Sequence, residues 1–196
     1  MAAAQDADGI VEIYTDGACK PNPGPGGWGA LLLYSHHRTR LHGGEAAQTT
    51  NQRMELMAPI RALESLAGPS RVQLRTDSEY VREGMSGRLA AWKNNHWRTA
   101  SNKPVENEDL WRRLDAAAQR HDVEWLWVKG HAGNPGNEAA HALAHQGLIE
   151  AIARAGALPA NVTGHAFDYT TGADVDLGGP ADGTRTARAD GARLQT

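Results

Sequence analysis

The ten residues Ile10–Cys19 constrain this chain more than any other stretch. Val11, Ile13 and Thr15 alternate with Glu12 and Tyr14, the period-two pattern of a strand, and everything after Thr15, from Pro21 to Gly29, favours a turn. Asp16 is therefore expected at a strand's carboxyl end, and in open α/β sheets ligands bind in the crevice beyond such ends. A second run, Val72–Thr76, leads in the same way into Asp77 and Ser78. Two strands delivering two aspartates predict a metal site.

Between them the period changes. The glycine-rich segment Gly24–Gly29 matches a dinucleotide fingerprint letter by letter, but Ala30–Tyr34 after it reads as a strand, whereas the fingerprint must open a helix. A glycine-rich hairpin link is the expected structure. A third strand is expected over about His37–Gly44, closing an antiparallel meander. Thr50 or Asn51 then caps a helix with Met54, Met57, Ile60, Leu63 and Leu66 at near-helical spacing, ended by Gly68 and Pro69. Glu55 falls in its first turn. Helix and following strand make a crossover that lays Val72–Thr76 parallel to the first strand, so three carboxylates converge.

Residues 81–103 carry Arg82, Arg88, Lys93, Arg98 and Lys103 against Glu83 alone, with Trp92, His96 and Trp97 interleaved. Such a stretch is either a surface that tracks a nucleic-acid backbone or a solvated helix pair with Trp92 and Trp97 as its small core; the carboxylates favour the surface. Asn107 is expected to cap the next helix, with Leu110, Trp111, Leu114 and Ala118 on its buried side. A last strand, Val123–Val128, is expected to be buried on both faces. It leads through a loop holding His131 into a final helix over about Asn137–Ile152. The expected division is a disordered leader over residues 1–8, a domain over 9–154 and a tail over 155–196, too poor in apolar residues to offset its ordering entropy.

With a formal charge of -3, attraction to nucleic acid must come from a local patch rather than the whole chain. The single cysteine, Cys19, rules out an internal disulfide and a multi-cysteine zinc site. No segment is long and apolar enough to span a bilayer, and the first residues lack a signal peptide's basic start and apolar run. The expectation is a cytoplasmic protein that acts as a monomer. Asp16, Glu55 and Asp77 offer hard oxygen donors, which suit Mg²⁺ or Mn²⁺ rather than Zn²⁺. Two such ions would hold the attacking and leaving oxygens of a phosphodiester.

Five motifs then occur in order: Thr15–Cys19, Asn22–Gly29, Thr50–Leu56, Thr76–Tyr80 and Trp127–Gly133. Together, over about Ile10–Ile152, they resemble type 1 ribonuclease H. The resemblance implies a ribonuclease H-like α/β fold, with a five-stranded mixed sheet in the order 3-2-1-4-5 flanked by helices. It also implies endonucleolytic cleavage of the RNA strand of RNA/DNA hybrids by a two-metal mechanism, leaving 5'-phosphates. Asp16, Glu55 and Asp77 match the family's metal-binding carboxylates and His131 its mobile-loop histidine, suited to proton transfer. Cys19, Asn22, Asn51 and Gln52 fall where the family reads the minor groove and the RNA 2'-hydroxyls, Thr50 and Asn51 at a DNA-phosphate pocket, and Ser78 beside them in the fourth motif. Arg88, Trp92, Lys93 and Trp97 fall in a basic handle.

One position departs from the pattern. His141 stands in the final helix where the family usually places an aspartate. It would ligate Mn²⁺ more readily than Mg²⁺, with activity retained and metal preference altered, or it would weaken catalysis and leave a hybrid-binding protein. A resolvase or integrase on the same sheet is a third possibility, which the Asn22 and Thr50–Gln52 motifs disfavour.

Overall fold

The computed structural model describes residues 9–129, 133–156, 165–168 and 173–176. Five strands form one sheet: β1 (Ile10–Cys19), β2 (Gly24–Tyr34), β3 (His37–Thr49), β4 (Arg71–Thr76) and β5 (Asp122–Trp127), in the order β3-β2-β1-β4-β5. β1, β2 and β3 pair antiparallel, whereas β4 runs parallel to β1 and β5 parallel to β4. The expected mixed sheet and its order are thus present.

Alternate residues of β1 serve two helical layers. Val11 and Ile13 are buried in the main core with Leu56, Ile60 and Leu63 of α1 (Asn51–Glu64). Tyr14, the next residue after Ile13, packs with Leu31, Leu33, Ala139 and Leu143, on the side of α5 (Pro135–Arg154). Beyond α1 lies α4 (Glu108–Ala118), whose Trp111 is fully buried. Burying an indole of about 200 Å² contributes about 5 kcal/mol gross, and its N–H is satisfied at 3.2 Å by the hydroxyl of Tyr80.

Several elements differ from expectation. Gly24–Gly29 is not a link but the first half of β2, and β1 continues past Asp16 to Cys19 alongside it, with Gly17 opposite Trp28 and Ala18 opposite Gly27. The glycines serve close approach: an added Cβ on Gly27 would stand 2.2 Å from the Ala144 carbonyl oxygen, and one on Gly29 2.4 Å from that of Ala140. β3 likewise runs on to Thr49, whose partner is Gly24. α1 is capped by Thr50, which accepts from the Arg53 N–H at 3.3 Å, and it stops at Glu64, before Gly68. Ala117 rather than Ala118 is buried in α4, and Asn107 takes a left-handed conformation without a capping side-chain bond. β5 is an edge strand with no fully buried residue; Val123 and Trp125 pack on the core while Trp127 is 37% exposed. It fails to bury two faces because α5 lies across β1, β2 and β3 instead.

Residues 79–94 form α2 (Glu79–Glu83), a kink over Gly84–Arg88 in which Gly87 takes φ 125°, and α3 (Leu89–Asn94). Beyond Gly156 the described residues are β6 (His165–Asp168) and β7 (Ala173–Asp176), paired antiparallel. No helix among the described residues is long and apolar enough to cross a membrane.

Candidate active site

The parallel pairing of β1 with β4 ends at Thr15 and Thr76. The next residue in each chain direction is a carboxylate, so the parting strands set Asp16 and Asp77 side by side. Glu55 arrives from α1, whose backbone presses onto β1 at Gly17: a Cβ there would stand 2.4 Å from the Glu55 nitrogen. All three line a cleft of about 560 Å³ together with Asn22, Asn51, Gln52, Ser78, Tyr80 and His141.

Each carboxylate is held by its own donors. The Gly17 N–H donates to Asp16 Oδ1 at 2.8 Å, and His141 Nδ1 meets Oδ2 at 2.7 Å. Glu55 accepts from Asn51 Nδ2 at 2.7 Å and from the Ser78 hydroxyl in a short hydrogen bond. Asn137 Nδ2 donates to Asp77 Oδ2 at 3.1 Å. Burial holds the Glu55 carboxyl above the ordinary carboxylate range; the Ser78 hydroxyl opposes the shift, and the charges of Asp16 and Asp77 add to it. The bond to Asp16 raises the His141 pKa, burial opposes this, and the charges of Asp16 and Asp77 reinforce it. Among the described residues no three His, Cys, Asp or Glu side chains already stand as the ligands of one ion, since each carboxylate is turned towards its donors.

The expected substrate residues divide. Asn22, Asn51, Gln52 and Ser78 share the cleft, and Asn22 Oδ1 accepts from the Asn51 N–H at 3.2 Å. Ser78 is itself buried, bonding Glu55 and capping α2 through the Val81 N–H. Thr50 is spent as the cap of α1. Cys19 lies outside the cleft lining, its Sγ 3.2 Å from the Pro21 carbonyl oxygen, and burial raises its pKa. His131 falls outside the described residues.

Arg88 and Trp92 line a separate groove of about 500 Å³ with Arg98. Lys93 pairs with Asp115 at 2.7 Å and Arg88 with Glu83 at 2.7 Å. Trp97 is 8% exposed, packed in the main core with the Arg112 guanidinium 4.4 Å over its ring, and Trp92 meets Trp111 edge-on at 5.4 Å. The two indoles therefore serve packing first, and a buried Trp97 offers no face for a base to stack on.

Asn137 and Tyr80 were not singled out by sequence. Asn137 lies 60 positions from Asp77 and looks like any residue of a helix's first turn. Tyr80 sits inside the Thr76–Tyr80 motif, and that motif was the available signal.

The family model for RNase H matches residues 8–149. A ribonuclease H from Alcanivorax borkumensis is 61% identical over 140 residues, covering 71% of this chain and 92% of the relative. A ribonuclease HI from Caulobacter vibrioides is 59% identical over 144 residues, covering 74% and 96%. Among solved structures, LC9-RNase H1, described as a type 1 RNase H with the type 2 active-site motif, is 33% identical with a TM-score of 0.65 over 72% of each chain. With so much of those relatives spanned, and the matched segment holding the whole sheet and its three carboxylates, the chain belongs to the ribonuclease H family.

Proposed function

We propose that this enzyme hydrolyses the RNA strand of RNA/DNA hybrids endonucleolytically, with divalent cations held by Asp16, Glu55 and Asp77. The observation that carries the proposal is the convergence of these three carboxylates in one cleft with the amides of Asn22, Asn51 and Gln52. The donor set fits a hard divalent ion: three oxygen-donor carboxylates face one cleft, and burial, with the charges of Asp16 and Asp77 adding to it, raises the proton affinity of Glu55 where no cation offsets it. When bound, two such ions would supply charge stabilisation to the attacking and leaving oxygens of the phosphodiester.

The protein's part is orientation. The Gly17 amide fixes Asp16, Asn137 aims Asp77, and Ser78 with Asn51 holds Glu55. Asn22, Asn51 and Gln52 present donors and acceptors to the minor groove, where the RNA 2'-hydroxyl marks RNA from DNA. The groove of Arg88, Trp92 and Arg98 extends the contact along the backbone; exposed pairs such as Arg88 with Glu83 are weak enough for a phosphate to replace the carboxylate. His131, which precedes α5 in sequence, is assigned the proton-transfer role. The unit that acts is the domain over residues 9–154, as a monomer.

His141 favours a second reading. Its bond to Asp16 Oδ2 occupies an oxygen that an ion would use, which would weaken catalysis and leave hybrid binding. The first reading keeps activity and shifts preference towards Mn²⁺, which accepts nitrogen more readily; LC9-RNase H1 is itself described as a type 1 enzyme with another active-site motif. Cleavage of an end-labelled hybrid, beside duplex DNA and free RNA, with Mg²⁺, Mn²⁺ or chelator separates them. Metal-dependent cutting of hybrid RNA alone, lost in Asp16→Asn, is expected, with His141→Asp raising the Mg²⁺ rate relative to Mn²⁺. Hybrid binding without cutting under any metal would select the second reading.

A further inference from the structure

His145 has no part in the chemistry above, yet it stands next to it. His141 and His145 lie one turn apart on α5, the spacing at which two imidazoles on one helix face share an ion. Their ring centroids are 4.5 Å apart, near the roughly 5 Å expected of two imidazoles on one ion with metal–nitrogen distances of about 2.1 Å. Asp16 Oδ2 and His141 Nδ1, at 2.7 Å, need to part by less than about 1 Å to reach the tetrahedral bite of two donors on such an ion, roughly 3.4 Å.

The mounting is rigid. Between the two histidines Leu143 and Ala144 are buried, and the α5 backbone at Ala140 and Ala144 lies directly against Gly29, so the helix face cannot slide along the sheet. Asp16 is anchored through its other oxygen by the Gly17 amide. Asp16 and Asp77 supply negative charge around His141, and Asp16 does so at His145; the opposing charges at His145 are His141 itself, when protonated, and then Lys20.

We infer that Asp16, His141 and His145 form a two-histidine, one-carboxylate site for a borderline transition metal, with Zn²⁺ the probe of choice, distinct in chemistry from an all-oxygen Mg²⁺ site. The ion replaces the proton shared by Asp16 and His141, which leaves to solvent, and His145 completes the set by rotating about its own side-chain bonds. Nitrogen donors favour Zn²⁺, Ni²⁺ and Cu²⁺ over Mg²⁺. Because Asp16 is common to both sites, zinc held here withdraws a carboxylate from the proposed catalytic set and acts as an inhibitor; that consequence, unlike the binding itself, rests on the proposed function.

The binding test uses the full chain, Zn²⁺ in competition with a chromogenic chelator, and Co²⁺ absorption as a spectroscopic check on nitrogen ligation. One Zn²⁺ per chain is expected, weakened at least tenfold by His145→Ala and lost in His141→Ala. Equal affinity in wild type and His145→Ala, as binding at the exposed His36 and His37 would give, or no stoichiometric binding at micromolar Zn²⁺, would overturn the site. In the second arm, hybrid cleavage in excess Mg²⁺ should fall on adding Zn²⁺ to wild type and resist it at least tenfold better in His145→Ala. If the chain cuts no hybrid at all, the proposed function fails while the binding arm still decides the zinc site.

Discussion

Ser78 serves two neighbours through one hydroxyl: it donates to Glu55 Oε2 and accepts from the Val81 N–H that opens α2. Ser78→Ala therefore removes a helix cap, worth about 1 kcal/mol, and leaves a buried Glu55 with one donor fewer. The expected outcome is an unfolding free energy lowered by that amount, read as a lower urea midpoint, together with a slower hybrid cleavage rate, while Ser78→Thr, which keeps the hydroxyl, restores both. A stability loss with the full cleavage rate would mean that Ser78 caps α2 and nothing more. Asp77 was legible in the sequence because it follows the last residue of β4, whereas Asp16 and Glu55 were placed only approximately: β1 runs on three residues to Cys19, and Glu55 lies past the first turn of α1 rather than in it. Asn137 was not legible, since its partner Asp77 is 60 residues away and nothing local distinguishes an asparagine that orients a carboxylate from one that caps a helix. Trp97 shows the opposite error: basic neighbours suggested a stacking platform, whereas its ring is core.

At the scale of elements, alternation of apolar residues identified β1, β4 and α1, but it carries no information about how closely two backbones approach. Gly24–Gly29 therefore read as a turn, since glycine is enriched in turns for its conformational freedom and in strands only where another chain lies almost in contact. The apolar letters of β5 misled in a related way: they describe what a strand would bury, and the edge position decides what it does bury. Gly27 makes this testable. A Cβ there would stand 2.1 Å from the Leu148 nitrogen and 2.2 Å from the Ala144 oxygen, both backbone atoms that no rotamer change can move aside. Gly27→Ala should cost about 3 kcal/mol by overpacking, read as a lowered urea midpoint. It should also reduce cleavage at temperatures where the variant remains folded, because α5 carries Asn137 and His141. An unchanged midpoint would show that α5 does not rest on β2 as described.

Across the whole molecule, the two ends of the sheet carry differently tuned ionisable groups. The carboxylate cleft lies where the parallel pairing of β1 with β4 ends. Around the opposite end, a cavity of about 320 Å³ is lined by Val11, Tyr34, Arg71 and His121. Burial lowers the His121 pKa, its Nε2–H donates to the Leu63 carbonyl at 3.1 Å, and its Nδ1 is buried without a partner, so the folded state holds a neutral ring. The unfolded chain takes up that proton at about pH 6.5; with more protons on the unfolded state, stability falls as pH drops below this value and goes on falling to the lowered folded pKa. Glu64 behaves in the same direction in a lower window. Arg113 grips it through two bonds of 2.6 Å and holds its pKa below the ordinary value, so its contribution is present above about pH 4.3 and is lost as pH falls through the folded pKa. The raised pKa of His141 acts with opposite sign near neutrality and the lowered one of His145 with the same sign as His121, so the useful quantity is a difference between two proteins rather than one curve. His121→Gln keeps a donor for Leu63 without a titrating ring. Urea midpoints from pH 8 to pH 4 should show wild type losing more stability than this variant as pH falls below about 6.5, with the Glu64 loss common to both curves below about pH 4.3. Parallel curves throughout would mean that His121 is protonated to the same extent folded and unfolded, and that the cavity end of the sheet does not shield it.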